Sequence, residues 1–217
     1  MRKIFFVLFL ILASVSVYAK EPENLFAIKQ KLIQYHQSGQ YEKDIAQVVD
    51  QAKSYLHARL EQNHFNKKKP AIVFDIDETA LSNYDNISNL DFGGTSNDIL
   101  KSENQGNDPV ITPTFQLYQY AKAHHVTIFF ITGRDESERD VTVTNLKNVG
   151  YDGWKKLILR DGPYRHVPAA QYKTAMRKKI TEAGYDIILN IGDQHSDLAG
   201  GYADQTFKLP NPYYFIP

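Results

Sequence analysis

The chain has 217 residues, and its 25 basic side chains are balanced by 25 acidic ones, so no excess of positive charge marks a surface for nucleic acid or anionic membrane. It contains no cysteine, which excludes disulfides, thiolate metal sites, thiol catalysis and a lipid-anchoring cysteine. We therefore expect a small-molecule partner rather than a nucleic-acid polymer, and any metal must be held by oxygen or imidazole ligands.

Residues 1–19 have the three parts of a secretory signal peptide. A basic start is followed by an apolar stretch from Ile4 to Val15, and small residues precede a cleavage point after Ala19. A membrane anchor is the alternative, but the apolar stretch is short for a bilayer and no stop-transfer flank follows Lys20. We expect the signal peptide to be removed, leaving a secreted or periplasmic protein without stable membrane association.

The part of the chain that follows, residues 20–69, is predicted to be helical. Apolar residues recur three or four positions apart from Glu23 to about Asn66, which predicts two amphipathic helices with a break near Ser38-Gly39. After Pro70 the pattern changes to short apolar runs, typical of strands buried on both faces. The four runs are Ala71–Phe74, Val126–Ile131, Lys156–Leu159 and Ile187–Ile191.

Helical patterns separate the later strands, at Pro113–His124, Ser137–Asn148 and Ala169–Ala183. This alternation predicts an α/β fold over residues 70–217, with right-handed crossovers and a parallel sheet covered by helices. The segment from about residue 81 to 112 does not fit the alternation, because it is rich in Asn, Asp, Ser and Gly. We interpret it as an insertion that acts as a lid or binding loop, a disordered loop being the alternative.

Polar residues follow these strands at the edge where an open parallel sheet binds ligands. They are Asp75 and Asp77 after the first strand, Thr132 and Gly133 after the second, Asp193 and Asp197 after the last, and Lys173 near the start of the preceding helix. Several carboxylates brought close together would repel unless a cation lay among them, and ligands limited to oxygen favour Mg²⁺. The Thr132 hydroxyl, nearby amides and the Lys173 ammonium would hold phosphate oxygens, which predicts phosphoryl transfer.

The spacing of Asp75 and Asp77 predicts different tasks for the two carboxylates. One ends the strand and the other stands two residues further on, so they can approach a phosphorus atom from different sides. We assign Asp75 as the nucleophile that forms an aspartyl-phosphate, and Asp77 as the acid that protonates the leaving alcohol and then the base that activates water.

Four motifs resemble, in order, those of the haloacid-dehalogenase (HAD) superfamily: Asp75-Ile76-Asp77-Glu78-Thr79, Ile131-Thr132-Gly133-Arg134, Lys173, and Gly192-Asp193-Gln194-His195-Ser196-Asp197. The last of these motifs and the segment that follows it, Thr206-Phe207-Lys208-Leu209-Pro210-Asn211-Pro212, are similar to those of the secreted class B-type acid phosphatases (subfamily IIIB), which include plant vegetative storage proteins. One departure is His195, where the plant members commonly carry tryptophan.

This resemblance implies a Rossmann-like three-layer core and a small, mainly helical cap made by the insertion and the N-terminal helices. It also implies Mg²⁺ held by the side chains of Asp75 and Asp193 and by the backbone carbonyl of Asp77, with Asp197 supporting the metal site. Thr132 and Lys173 would contact the phosphate.

Simpler interpretations exist for several of these residues. The first motif could be a calcium loop, but the glycine such a loop needs at its sixth position is Ala80 here. Lys173 shares its helix with Arg177, Lys178 and Lys179, and such charges often form a solvated face. We favour Lys173 because the start of the helix faces the crevice. Arg134 fits either a phosphate contact or a surface salt bridge.

The sequence therefore predicts a magnesium-dependent acid phosphatase acting on small phosphomonoesters, nucleotides among them. A non-catalytic secreted binding or storage protein on the same fold is the alternative, and it would be expected to lack the nucleophile or a metal ligand. A response-regulator receiver is disfavoured by the predicted export, and a dehalogenase would need neither Asp77 nor the metal. Transfer of the phosphoryl group to another alcohol would use the same residues as hydrolysis.

Overall fold

The computed structural model describes residues 20–65 and 67–216, so the predicted signal peptide lies outside the described residues. The helices are α1 (Leu25–Gln37), α2 (Gln40–Gln62), α3 (Tyr84–Asn89), α4 (Ser96–Glu103), α5 (Thr112–Ala123), α6 (Arg139–Asn148), α7 (Ala169–Glu182) and α8 (His195–Leu198). The strands are β1 (Lys69–Phe74), β2 (Thr127–Asp135), β3 (Lys156–Arg160), β4 (Tyr185–Gly192) and β5 (Gln205–Lys208). Single turns of 3₁₀ helix cover Glu136–Glu138 and Gly162–Tyr164.

The five strands form one parallel sheet in the order β3-β2-β1-β4-β5. The chain moves outward from β1 to β2 and β3, then crosses back to β4, so the strand order reverses between β1 and β4. Ligands of open α/β sheets bind at such a reversal, outside the carboxyl ends of the strands. The predicted parallel sheet is confirmed, and the edge at which sheets of this kind bind ligands lies where Asp75 and Asp193 follow these two strands.

Helices cover both faces of the sheet. Side chains of β1 alternate, so that Ile72 and Phe74 join a large core cluster with α2 and α5, while Ala71 and Val73 pack with α7 on the opposite face. These four side chains are all buried, as a parallel strand covered on both faces requires. The predicted α/β class with three layers is confirmed.

The sheet differs from the prediction at two places. β5 was not predicted, because this edge strand has four residues and only Phe207 among them is buried, which leaves no apolar run to recognise. β2 continues four residues beyond Ile131, to Asp135, because after a register shift Asp135 pairs with Arg160 of β3.

The two predicted N-terminal helices are present, separated by Gly39 in the left-handed conformation (φ 73°). α2 buries one stripe, including Ile45 and Leu56, in the large core cluster. It is therefore a layer of the core, whereas α1 has no fully buried residue and meets the insertion at its end, where the His36 ring stacks on Tyr84 at 3.4 Å. Within the described residues, no helix is both long and apolar enough to cross a bilayer.

The insertion contains two short helices, α3 and α4. Its two ends are joined by an antiparallel bridge between Leu81 and Val110. α4 begins with a capping box in which Thr95 and Asp98 bond each other's backbone N–H groups. The insertion is also tied to α6, since the Asn145 side chain accepts from the Asp108 N–H (2.9 Å) and donates to the Asp108 carbonyl (2.8 Å).

Candidate active site

The first candidate, Asp75, stands directly after β1. Its N–H donates to the Ile191 carbonyl of β4 at 3.0 Å, which fixes it at the point where the strand order reverses. The chain then turns sharply, with the N–H groups of Ala80 and Leu81 both reaching the Ile76 carbonyl (2.7 and 2.9 Å). Within this turn Glu78 has φ 53°, a conformation that side-chain-bearing residues seldom adopt outside functional or strained loops.

Three carboxylates meet at this edge of the sheet. Oxygens of Asp75, Asp193 and Asp197 all lie within 4.8 Å of one another, and all three residues are buried. Lys173, from the first turns of α7, donates to Asp75 Oδ1 at 2.6 Å and to Asp197 Oδ1 at 2.5 Å. The structure thus brings together four of the seven residues assigned from the sequence.

The electrostatics of this cluster fit a divalent cation. Burial, followed by the charge of Asp197, raises the pKa of Asp75 and raises the pKa of Asp193 to about 6. Burial alone would lower the pKa of Lys173, but Asp197 and Asp75 raise it. Three ionised carboxylates and one ammonium leave two uncompensated negative charges, and the donors are all oxygen, so the residues present fit Mg²⁺.

The side chain of Asp77 points away from that cluster, toward Arg134. Arg134 Nη2 and Nε donate to Asp77 Oδ1 at 2.7 and 3.1 Å, and Asn83 Nδ2 donates to the same oxygen at 2.8 Å. Although burial opposes it, the Arg134 guanidinium lowers the pKa of Asp77. The Asp77 carboxylate is therefore separate from the other three and held ionised in this arrangement.

Arg134 is neither on the surface nor free for a ligand. It is 3% exposed, and it pairs with Asp108 of the insertion (3.1 Å) as well as with Asp77. Both alternatives left by the sequence, a phosphate contact and a surface salt bridge, are replaced by a buried ion pair. Arg134 thus connects Asp77 to the insertion through Asp108, a residue to which the sequence analysis gave no role.

Thr132 and Gly133 belong to β2, and Thr132 lies beside Asp77. The Thr132 hydroxyl is buried; it accepts from the Arg134 N–H at 3.1 Å and lies 3.4 Å from Asp77 Oδ2. Gly133 is exposed, and a Cβ placed there would meet no atom within 4 Å. Open space therefore adjoins the Gly133 backbone, whereas the Thr132 hydroxyl is engaged within the protein.

The loop after β4 is held by residues to which the sequence analysis gave no role. Arg177 is buried rather than solvated, and its Nη1 and Nε donate to the carbonyls of Asp197 (2.5 Å) and Gly201 (2.9 Å). Gly192 packs so closely that a Cβ there would lie 2.5 Å from Asp197 Cβ. Arg177 lies in a run of charged residues, and nothing in the sequence distinguishes it from its neighbours Lys178 and Lys179, which are exposed as expected.

Aromatic side chains from three segments meet above this edge. His36 at the end of α1, Tyr84 and Phe92 of the insertion, and Tyr213 near the C-terminus form one contacting group. A cavity of about 540 Å³ is lined by Asp193, His195, Lys208 and Tyr214, among others. A second cavity, of about 250 Å³, lies between His36, Glu42 and Asp85. Space for a ligand thus adjoins the carboxylates.

Comparison with known proteins identifies relatives along nearly the whole chain. Residues 13–217 match the family model described as HAD superfamily, subfamily IIIB (acid phosphatase). The stem 28 kDa glycoprotein of Glycine max is 40% identical over 91% of this chain and 81% of its own length. Acid phosphatase 1 of Solanum lycopersicum is 36% identical over 81% and 69%, and vegetative storage protein 1 of Arabidopsis thaliana is 33% identical over 67% and 55%.

A solved structure adds a match in fold. The class C acid phosphatase from Bacillus anthracis, with tungstate bound, superposes with a TM-score of 0.72 at 23% identity, covering 87% of this chain and 86% of that chain. At that identity the match concerns the fold alone. Together these matches confirm the resemblance carried by the sequence motifs.

Proposed function

The chain belongs to subfamily IIIB of the HAD superfamily and is an acid phosphatase, and from this premise we propose that it hydrolyses small phosphomonoesters with Mg²⁺ through an aspartyl-phosphate on Asp75. The observation that carries the proposal is the buried cluster of Asp75, Asp193 and Asp197 around Lys173 at the reversal of strand order. Lys173 offsets only one of the three carboxylates, so the cluster is costly to bury without a further cation, because like charges repel and lose hydration.

The metal would be held by the side chains of Asp75 and Asp193 and by the backbone carbonyl of Asp77, with Asp197 supporting the site. When bound, Mg²⁺ supplies positive charge that neutralises the phosphate oxygens during transfer. This assignment agrees with the direction of the Asp77 side chain, which turns to Arg134 and so leaves only its backbone for the metal.

The phosphate would lie between Asp75, the Thr132-Gly133 segment and Lys173. An ammonium has three N–H donors, and Lys173 uses two on Asp75 and Asp197, so one remains for a phosphate oxygen. The open space beside Gly133 accommodates another oxygen near the backbone amides. Because Lys173 holds Asp75 Oδ1, the other carboxylate oxygen of Asp75 is left to attack phosphorus.

The reaction would proceed in two halves. As the bond between Asp75 and phosphorus forms, the bond from phosphorus to the alcohol oxygen breaks and Asp77 gives that oxygen a proton. Asp77 then takes a proton from water, whose oxygen attacks the phosphorus and releases phosphate, restoring the Asp75 carboxylate. Asp77 must be protonated for the first half, so its pairing with Arg134 has to loosen when substrate binds.

We propose that the insertion and the end of α1 form the cap over this site, nucleotides being among the substrates it admits. Contacts between His36 and Tyr84, and between Arg134 and Asp108, support a cap that is coupled to the catalytic residues. We also propose that the mature protein is secreted or periplasmic. The N-terminal pattern supports this, as does the description of relatives from Glycine max as glycoproteins.

A storage role without catalysis is the second candidate, because two relatives from Arabidopsis thaliana are named vegetative storage proteins. Here, however, every residue assigned to the chemistry is present in the sequence.

The test is release of p-nitrophenol from p-nitrophenyl phosphate by the mature protein, with Mg²⁺ and with EDTA. We expect turnover that EDTA abolishes and that Asp75→Asn removes, while the matched variant Asp50→Asn, on the exposed surface of α2, keeps it. No turnover by a folded, Mg²⁺-loaded protein, tested from acid to neutral pH and with nucleotides as well, would favour the storage role.

A further inference from the structure

The C-terminal segment, residues 209–216, forms a strap against the loop that carries Asp193. The strap begins where the Leu209 N–H donates to the Gly192 carbonyl at 2.9 Å. Near its end the Ile216 N–H donates to Gln194 Oε1 at 3.0 Å, and the Ser196 hydroxyl contacts the Ile216 carbonyl at 3.4 Å. The last described residues are thus bonded to the loop that follows β4.

Asn211 is the strap residue that reaches a carboxylate of the site. Its Oδ1 accepts from the backbone N–H groups of Tyr213 and Tyr214, at 2.8 and 3.4 Å. Because that side of the amide faces N–H donors, the opposite side must present Nδ2, which donates to Asp193 Oδ2 at 2.7 Å. The strap's own backbone therefore fixes the orientation in which Asn211 meets Asp193.

The two oxygens of Asp193 are in unequal surroundings. Oδ2 accepts from Asn211 and also from Gln194 Nε2 at 2.6 Å, whereas Oδ1 has, among the residues that the structure describes, only the Thr79 hydroxyl at 3.3 Å. Two amide donors leave Oδ2 little capacity for a further partner, while Oδ1 keeps most of its acceptor capacity. A ligand carboxylate that is hydrogen-bonded on one oxygen is thereby oriented for its metal on the other.

We propose that Asn211 is a positioning residue of the metal site: by occupying Oδ2 of Asp193 it directs Oδ1 toward the cation, and so makes the strap a working part of the active site. The inference rests on the proposed metal site.

The experiment measures Mg²⁺ binding to the mature protein directly, by isothermal titration calorimetry, with Mn²⁺ occupancy by EPR as a second readout. The test variant is Asn211→Ser, whose hydroxyl can still accept the Tyr213 N–H in a local turn but is too short to reach Asp193. The matched control is Ser196→Ala, which removes one bond between strap and loop without touching Asp193.

We expect Asn211→Ser to bind Mg²⁺ and Mn²⁺ about 10- to 100-fold more weakly, the loss typical when the partner of a metal ligand is removed, and Ser196→Ala to bind like the wild type. Equal affinity in Asn211→Ser and wild type would overturn the proposal. So would an equal loss in Ser196→Ala, because the effect would then come from docking of the strap. If the wild type itself binds neither ion, the proposed metal site fails, and that result is distinct from both.

Discussion

Gly192 is the position at which a single methyl group should disable the site. In the structure a Cβ at residue 192 would lie 2.5 Å from both Cβ and Oδ2 of Asp197, whereas carbon atoms in contact are normally about 3.5–4.0 Å apart. Asp197 must therefore move by roughly 1 Å, and it carries the bonds to Lys173 and to the Gln194 N–H. Overpacking of this kind costs about 1–3 kcal/mol of folding free energy.

Gly192→Ala is also expected to slow catalysis, by a factor that corresponds to about 2.7 kcal/mol in the activation free energy. A misplacement of about 1 Å in a site that must hold its reacting groups in register can lower the rate roughly 100-fold, so kcat/KM for p-nitrophenyl phosphate should fall by about that factor. Urea denaturation measures the loss of folding free energy. Gly133→Ala is the control for stability alone, because its Cβ would meet nothing within 4 Å, so its free energy of unfolding should stay within about 0.5 kcal/mol of wild type. Wild-type stability and turnover in Gly192→Ala would refute the reasoning.

Two further predictions concern the insertion and the aromatic group above the site. Arg134→Gln leaves Asp77 and Asp108 without their cation in a buried site, so it should lower the free energy of unfolding by about 3–5 kcal/mol; a change within error of zero by urea denaturation would contradict the buried pair. Burial lowers the pKa of His36 below 6.5, so the unfolded chain binds more protons below that pH and stability should fall as pH drops through 6.5. His36→Phe keeps a ring to stack on Tyr84 and should reduce this dependence in thermal melts recorded from pH 7 to 5, whereas an unchanged pH profile would show that other groups cause it.

The strands and the acidic residues after them could be predicted because both signals are local. The four apolar runs are continuous in sequence, and a parallel sheet brings their carboxyl ends to one edge, where the structure places Asp75, Asp193 and Asp197 together. Lys173 could be assigned for the same reason, since the start of a helix that precedes a strand must lie near that edge. Sequence periodicity and sheet topology were therefore sufficient to place these residues at one edge of the sheet.

The residues that hold the site in place gave no such signal. Arg134 meets Asp108 across an insertion without periodicity, and Asn211 meets Asp193 through a strap with no regular secondary structure. Arg177 is buried because its guanidinium bonds carbonyl groups of the loop after β4, a role that one charge in a run of charges does not reveal. These contacts depend on the tertiary arrangement of loops, which single-sequence patterns do not encode.

The covalent intermediate on Asp75 is the central claim, and rapid acid quenching followed by peptide mass spectrometry tests it most directly. The Asp77→Asn variant lacks both the acid of the first half and the base of the second, but p-nitrophenolate leaves without being protonated. Mixed with p-nitrophenyl phosphate and Mg²⁺, this variant should therefore accumulate a phosphoryl group on the peptide containing Asp75. The double variant with Asp75→Asn should show none. Release of phosphate by a protein that carries no phosphoryl group on Asp75 at any quench time would contradict the account.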